Sequence, residues 1–304
     1  MSLVVNHNLM AANTARTLNA HYSNLATSTQ RLSSGLRINS AADDAAGLAI
    51  RELQRADIAA LQQGARNAND AISMIQTADG ALGVIDEKLI RMKELAEQAA
   101  TGTYDSTQRL MIESEYQAMA SEITRIANAT DFNGMKLLDG TLSAEAGKSA
   151  LESHDGSGMV AKGPMKIHFG TGNDSAEDYY YITIGNCTAS AFGVGNAADV
   201  SADAYTVSTQ NAAQKALEGI NAAIVSKDKI RAHLGAVQNR LENTITNITV
   251  QAENLQAAES RISDVDVATE MTQFVRNQIL TQSAVAMLGQ ANSLPQMAMQ
   301  LIGG

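Results

Sequence analysis

The chain has 304 residues, with 22 basic and 32 acidic side chains and a formal net charge of -10. It has no Lys/Arg-rich run to offset that charge, which argues against nucleic acid as a partner. It also lacks an apolar run of about 18 residues, which argues against a membrane-crossing helix. A single cysteine, Cys187, excludes an internal disulfide framework, and 45% apolar residues with 4% aromatics and no Trp favour helix packed on helix.

The segment MSLVVNHNLMAANTAR has no basic stretch ahead of an apolar core, so no cleaved signal is expected there. From Leu18 the residues Leu18, Tyr22, Leu25, Thr29, Leu32 and Leu36 recur at the alternating four- and three-residue spacing of a coiled-coil seam. This predicts an N-terminal helical arm with one packing face. A second helix is expected over about 43 to 100, on the seam Ile75, Ala78, Leu82, Ile85, Leu89, Met92, Ala96, Ala99, with Gly102 as its stop. The adjacent Asp43 and Asp44 read as first-turn acids of that helix, favoured by its dipole.

Asp105 or Ser106 can cap a shorter helix striped by Ile112, Tyr116, Met119, Ile123 and Ile126. Asn133-Gly134 within Asp131 to Lys136 is a hairpin signal. Residues 141–205 then hold 9 of the 22 glycines and 6 of the 11 aromatics, and the runs Lys166 to Phe169 and Tyr179 to Ile184 read as short strands. After residue 208 comes a long helix on the seam Ile220, Ile224, Lys227, Arg231, Leu234, Gln238, Leu241, Ile245, Ile248, Ala252, Leu255. The C-terminal arm follows, on Val267, Met271, Phe274, Gln278, Thr281, Val285 and Leu288. The fold class is mainly α: an elongated antiparallel helical rod with terminal coiled-coil arms and a small β-rich insert.

No Asp or Glu precedes Asp43 or follows Glu270, and the two ends carry only Arg16, Arg31, Arg37 and Arg276, so the acidity lies entirely in the middle. Charge-poor arms can be buried without desolvating ions. They hold few large apolar groups, however, and alone would not offset an ordering cost of about 1 to 2 kcal/mol per residue. If the central helices run antiparallel, the chain ends meet and the arms can pair, gaining order when packed against a partner.

No constellation supports catalysis. His7, His21, His154, His168 and His233 lack metal-ligand spacing. Cys187 in a Gly/Thr/Ser-rich stretch is expected on the solvent side, with no base assigned to it. Asp264-Val265-Asp266 lacks the glycine and glutamate of a calcium loop, and Gly170-Thr171-Gly172 lacks the third glycine of a nucleotide loop. Neither arm has the basic face of a helix that lies on lipid. What remains is assembly.

The run from Gln30 to Ile50, QRLSSGLRINSAADDAAGLAI, closely resembles the N-terminal signature of bacterial flagellin. The resemblance continues to Asp131-Phe132-Asn133-Gly134-Met135-Lys136-Leu137-Leu138 and resumes from about Asn221 to Ala291-Asn292-Ser293-Leu294-Pro295-Gln296. The tail Met297 to Gly304 departs from the leucine-richer ending common in the family, and flagellins usually lack cysteine.

The resemblance implies a terminal coiled coil (D0) in a filament core, a helical rod (D1) around it and a variable outer region. Its segmentation here is 1–42 for the N-terminal D0 arm and spoke, 43–140 for the D1 helices and hairpin, 141–205 for the outer insert, 206–260 for the D1 C-terminal helix and 261–304 for the C-terminal D0 arm. It implies a secreted, extracellular structural subunit with no enzymatic activity and no cofactor, exported unfolded and assembled at the filament tip. Its implied partners are further copies of itself, the flagellar type III export apparatus, a flagellin chaperone, and the filament cap and hook-filament junction proteins. Polymerisation would rest on Leu18, Tyr22, Leu25, Leu32, Leu36, Met271, Phe274, Val285, Leu288, Leu294 and Leu301, and the spoke signature on Arg31, Gly35, Arg37, Asn39, Asp43 and Asp44. Arg91, Leu95 and Glu115 match a candidate Toll-like receptor epitope, against which stands ordinary packing for Leu95. The insert is expected to be peripheral, so that removing residues 145–200 spares assembly. The alternatives are a hook-filament junction protein, a soluble coiled-coil export chaperone, or an enzyme domain carried in the insert.

Overall fold

The computed structural model describes residues 8–143, 163–174, 177–195 and 206–302. His7 and His154 lie outside them. The element order is α1 (Leu9–Ser34), α2 (Ala45–Ala100), α3 (Ser106–Ala129), β1 (Asp131–Phe132), β2 (Met135–Lys136), β3 (Met165–His168), β4 (Tyr179–Ile182), α4 (Gln210–Ser263) and α5 (Val267–Ile302). The fold is mainly α with two small hairpins. By packing, the chain divides into two compact units, one of Met1–Ile58 with Glu253–Gly304 and the other of Ala59–Ala252.

In the unit of residues 59–252, all eight α2 positions expected on the seam are buried, and α3 contributes Ile112, Tyr116, Ala120, Ile123 and Ala127 to the same core. Asp105 begins α3 with a capping box in which Gln108 answers the Asp105 backbone N–H. Residue 102 and its neighbours reverse the chain, and Arg109 donates to the Ala99 and Thr101 carbonyls at the end of α2. Those groups have no partner within the helix, so the arginine closes α2 and fixes α3 against it. The α4 seam carries two cations, and each finds an acid on α2. Lys227 donates to Asp86, and Arg231 takes both oxygens of Asp79, pairings that run antiparallel.

The Asn-Gly pair closes β1–β2 with φ of 51° at Asn133 and 80° at Gly134, the left-handed geometry a two-residue hairpin turn requires. β3 and β4 pair antiparallel from Met165 opposite Ile182 to His168 opposite Tyr179. This hairpin lies against α2 because residue 64 is glycine. A Cβ there would overlap the Phe169 carbonyl, and Asn67 Nδ2 donates to the neighbouring His168 carbonyl.

The described residues 163–174 and 177–195 of the insert pack into the core and are not peripheral, contrary to what the resemblance implies for 141–205. Leu142, Ile182, Ile184, Ala189, Phe192 and Val194 are buried in the same cluster as the helices, and Val207 closes behind them, its N–H bonded to Glu113. Cys187 is likewise buried and not on the solvent side, and burial pushes its thiol up to about 12. Glycine-rich spacing partly disguised the segment: Ala189, Phe192 and Val194 are isolated apolar groups between turns, whereas Ile182 and Ile184 lie two apart in the run read as a strand. The glycines of Gly170-Thr171-Gly172 have a local purpose. They leave room for the Asp178 carboxylate, which accepts from the Asp174 N–H and closes the β3–β4 loop.

The unit of residues 1–58 and 253–304 is built on α1 and α5, which run antiparallel. Arg31 near the end of α1 lies 3.8 Å from Glu270 at the start of α5, while Asn8 ahead of α1 donates to the Ala291 carbonyl near the far end of α5. Asn8 also begins α1, its Oδ1 accepting the Ala11 N–H.

Candidate assembly surface

The signature residues form a clamp. Gly35 ends α1 with φ of 72°, a left-handed position that suits glycine, and its N–H caps the Arg31 carbonyl. The chain then runs beside the α4–α5 junction. Leu36 bridges Asp264, the Arg37 N–H donates to the Ser263 carbonyl, and the Val265 N–H donates to Gly35. The Arg37 guanidinium takes the Ile262 carbonyl at 2.6 Å, one of the acceptors left open at the end of α4.

Asn39 donates to the Leu36 carbonyl, and Asp43 Oδ2 gathers the N–H groups of Asn39 and Ser40. Those donors, Ser40 foremost, hold the Asp43 carboxyl below its ordinary range. Asp44 accepts the Gly47 N–H and caps α2. Asp43 and Asp44 therefore precede the helix and are not its first-turn acids, because α2 begins only at Ala45. Two residues with no assigned role complete the clamp. Ile38 is buried, and Arg51, also buried, donates to its carbonyl at 2.8 Å. On the other side Asp266 starts α5, taking the Ala268 and Thr269 N–H groups.

The seam between α1 and α5 differs from the expected one by half. Leu18, Leu25 and Leu32 face α5, and Phe274, Thr281 and Leu288 face α1. The alternating positions are Thr14, His21 and Ser28 on α1 and Glu270, Asn277, Ala284 and Ala291 on α5. Tyr22, 51% exposed, and Thr29 lie outside the seam, as do Val267, Met271, Gln278 and Val285. The seam alternates large groups, Leu18, Leu25, Leu32, Phe274 and Leu288, with small or polar ones, Thr14, Ser28, Asn277 and Ala284.

The displaced large groups form an apolar face on the outside. On α5 it comprises Val267, Met271, Val275, Ile279 and Val285, each about half exposed, with Gln278 and Gln282 between them, and on α1 Tyr22 is exposed beside the seam. Val275 and Ile279 continue Met271 at four-residue steps, a row that the choice of a single seam concealed. Leu36 is part-buried at the clamp and Leu294 part-buried on α5, whereas the side chain of Leu301 lies outside the described residues. This face includes several large side chains, whereas scattered single ones are normal on any surface.

In the other unit, Arg91 bridges the α2 and α3 surfaces. Its Nε and Nη2 donate to Glu115 Oε1 at 2.9 and 2.8 Å, and its Nη1 to Glu94. Leu95 is 1% exposed, so it packs in the core and offers no receptor contact. The candidate epitope reduces to the Arg91–Glu115 pair. A cleft of about 320 Å³ between β3–β4 and α4 is lined by Thr171, Glu177, Tyr180, Thr244 and Asn247. Among the described residues no group of three or more His, Cys, Asp or Glu could hold a metal ion, and no helix is long and apolar enough to cross a membrane.

Comparison with known proteins agrees with this organisation. The family model for the bacterial flagellin N-terminal helical region matches residues 5–143, and that for the C-terminal helical region matches residues 217–302. The chain is 42% identical over 307 residues to the flagellin of Bacillus subtilis, covering 98% of this chain and 99% of that one. It is 40% identical over 300 residues to flagellin FlaB2 of Treponema pallidum and to the flagellar filament 33 kDa core protein of Treponema phagedenis, covering in each case 99% of this chain and all of the relative. With both helical regions matched and relatives aligned from end to end, the chain belongs to the bacterial flagellin family.

Proposed function

We propose that this protein is a structural subunit of the extracellular bacterial flagellar filament, polymerising through the paired helices α1 and α5. The observation that carries the reading is the apolar face left outside the α1–α5 seam. It consists of Val, Ile, Met and Tyr with few charges beside it, and the chain belongs to a family whose relatives include a flagellar filament core protein. Such a face gains about 25 cal/mol for each Å² it buries, and here another copy of the chain supplies the cover. A contact between different faces of successive copies does not close on itself and yields an open helical polymer.

The same features suit export as an unfolded chain and assembly at the tip. The lone thiol has no internal disulfide to form, and the large groups of the α1–α5 seam, Leu18, Leu25, Leu32, Phe274 and Leu288, stay only part-buried, so the pair gains order on docking, as in coupled folding and binding. This reading carries with it the export apparatus, a flagellin chaperone and the cap and junction proteins as partners. The test is negative-stain electron microscopy of purified monomer after addition of filament seeds or a precipitating salt, with a variant lacking residues 290–304 alongside. Uniform filaments from the full chain and none from the truncated one are expected. Small discrete oligomers from the full chain would favour a junction protein or chaperone, and filaments from the truncated chain would remove the assembly role of α5.

A further inference from the structure

Four methionines of the α1–α5 unit, Met10, Met271, Met287 and Met297, are close to half exposed or more, Met287 reaching 60%; in the unit of residues 59–252 Met74 and Met92 are buried and Met111 is 70% exposed. A thioether reacts with peroxide according to its access to solvent, and a sulfoxide is polar where the thioether was apolar. The exposed thioethers lie on the helices whose outer surface the proposed function commits to burial.

We infer that Met10, Met271, Met287 and Met297 are an oxidation site that blocks assembly. This rests on the proposed role of α1 and α5. Hydrogen peroxide is the oxidant. The O–O bond breaks, one oxygen forms an S=O bond on the methionine sulfur, and the other leaves as water. The sulfur loses two electrons and the peroxide gains them. Each sulfoxide oxygen is polar where the thioether was apolar, and at Met271 it sits on the stripe with Val275 and Ile279, so docking a second copy there would desolvate it. Oxidation therefore stops a free subunit from adding, while the α1–α5 seam stays intact, because its residues at the interface are Leu, Phe, Thr, Ser, Asn and Ala.

The experiment treats purified full-length monomer with hydrogen peroxide, removes the oxidant with catalase, and measures three things: the sites carrying the added mass of about 16 Da, helicity by circular dichroism, and the rate of extension from filament seeds. The expected result is modification of the four arm methionines ahead of Met74 and Met92, unchanged helicity, and extension slowed at least about tenfold, the scale on which one unpaired buried polar group acts. A variant with all four residues changed to Leu is expected to extend seeds before peroxide and to keep doing so afterwards. A variant with only Met111→Leu, which removes another exposed thioether, is expected to remain sensitive. Oxidised wild type that extends seeds at the untreated rate would overturn the inference, as would loss of extension in the treated four-Leu variant. Untreated wild type that never extends seeds would instead overturn the proposed function and the inference with it.

Discussion

Lys227 Nζ lies 2.5 Å from Asp86 Oδ1 and 2.7 Å from Asp228 Oδ1, while its own residue is 2% exposed on the α4 seam. Burial alone would lower the lysine pKa. The hydrogen bonds that Lys227 donates to Asp228 and Asp86 outweigh it and hold the group above its ordinary value, so the ammonium stays charged inside the bundle. Removing one acid leaves that charge under-compensated. Asp86→Ala is expected to cost about 1 to 3 kcal/mol, less than for a fully enclosed pair because the Asp86 side chain is 29% exposed. Lys227→Met removes the charge and keeps the length, and is expected to be within about 1 kcal/mol of the parent. Urea unfolding of the two variants checks this. A larger loss for Lys227→Met than for Asp86→Ala would show that the pair, and not the packing, holds α4 on α2.

Adding an apolar group to a filled position of the α1–α5 seam should weaken it. Ser28 is almost fully buried on the α1 seam. Ser28→Leu inserts three carbons at that buried position, and a loss of about 1 to 3 kcal/mol is expected. Val275→Glu on the outer face is expected to leave thermal stability within about 0.5 kcal/mol of the parent and to abolish seeded extension. Melting curves and seed extension separate the two effects. A stabilised Ser28→Leu chain contradicts the size argument, and normal extension by Val275→Glu contradicts the outer face.

Acid should loosen both units. The Arg231 guanidinium holds the Asp79 carboxyl below its ordinary range, the Ser40 and Asn39 N–H groups do so for Asp43, the Thr269 hydroxyl and N–H for Asp266, and the Asp174 N–H for Asp178. Each carboxyl has a lower pKa folded than unfolded, so the unfolded chain takes up more protons as the pH falls. The stabilisation is complete above the ordinary carboxylate value of about 4 and is lost as the pH falls through the lower folded values. Melting temperature should hold steady from neutral pH down to about 5 and fall below about 4. Asp79→Asn should lower it at neutral pH and flatten the acid limb, and an acid limb parallel to that of the parent would show that Asp79 contributes nothing to it.

The long helices were legible because one face stays largely apolar over many turns, unbroken from Ile75 to Ala99 on α2 and interrupted on α4 only by Lys227, Arg231 and Gln238. The arms were legible as helices but not in their packing. A spacing that starts with four from Leu18 selects Tyr22 and Thr29, and one that starts with three selects His21 and Ser28. Both share Leu18, Leu25 and Leu32, and hydrophobicity favours the wrong choice because the true seam alternates those leucines with small or polar groups. The clamp was visible as a motif, but the partners of Arg37 and Leu36 lie more than two hundred residues away and no local pattern encodes them. Leu95 matched a receptor motif by sequence, and only its packing shows that it faces inward.

The segment 141–205 gives the sharpest reversal. Composition made it a β-rich insert and the resemblance made it peripheral, yet Ile182, Ile184 and Val194 are fully buried, each a side chain whose burial contributes about 1.5 to 3 kcal/mol. Replacing residues 145–200 by a short linker would remove these groups together with Cys187 and Phe192, and would uncover the core formed by α2, α3 and α4. The shortened chain is therefore expected to lose cooperative unfolding, and to fail to form filaments because the unit of residues 59–252 is no longer folded. The thiol reports the same burial in the intact protein. With its pKa pushed up to about 12 and no exposed surface, Cys187 should resist a thiol reagent at neutral pH and react at the rate of an ordinary cysteine only in denaturant. Folded protein that labels as fast as unfolded would show the segment open to solvent, and the deletion would then be tolerated.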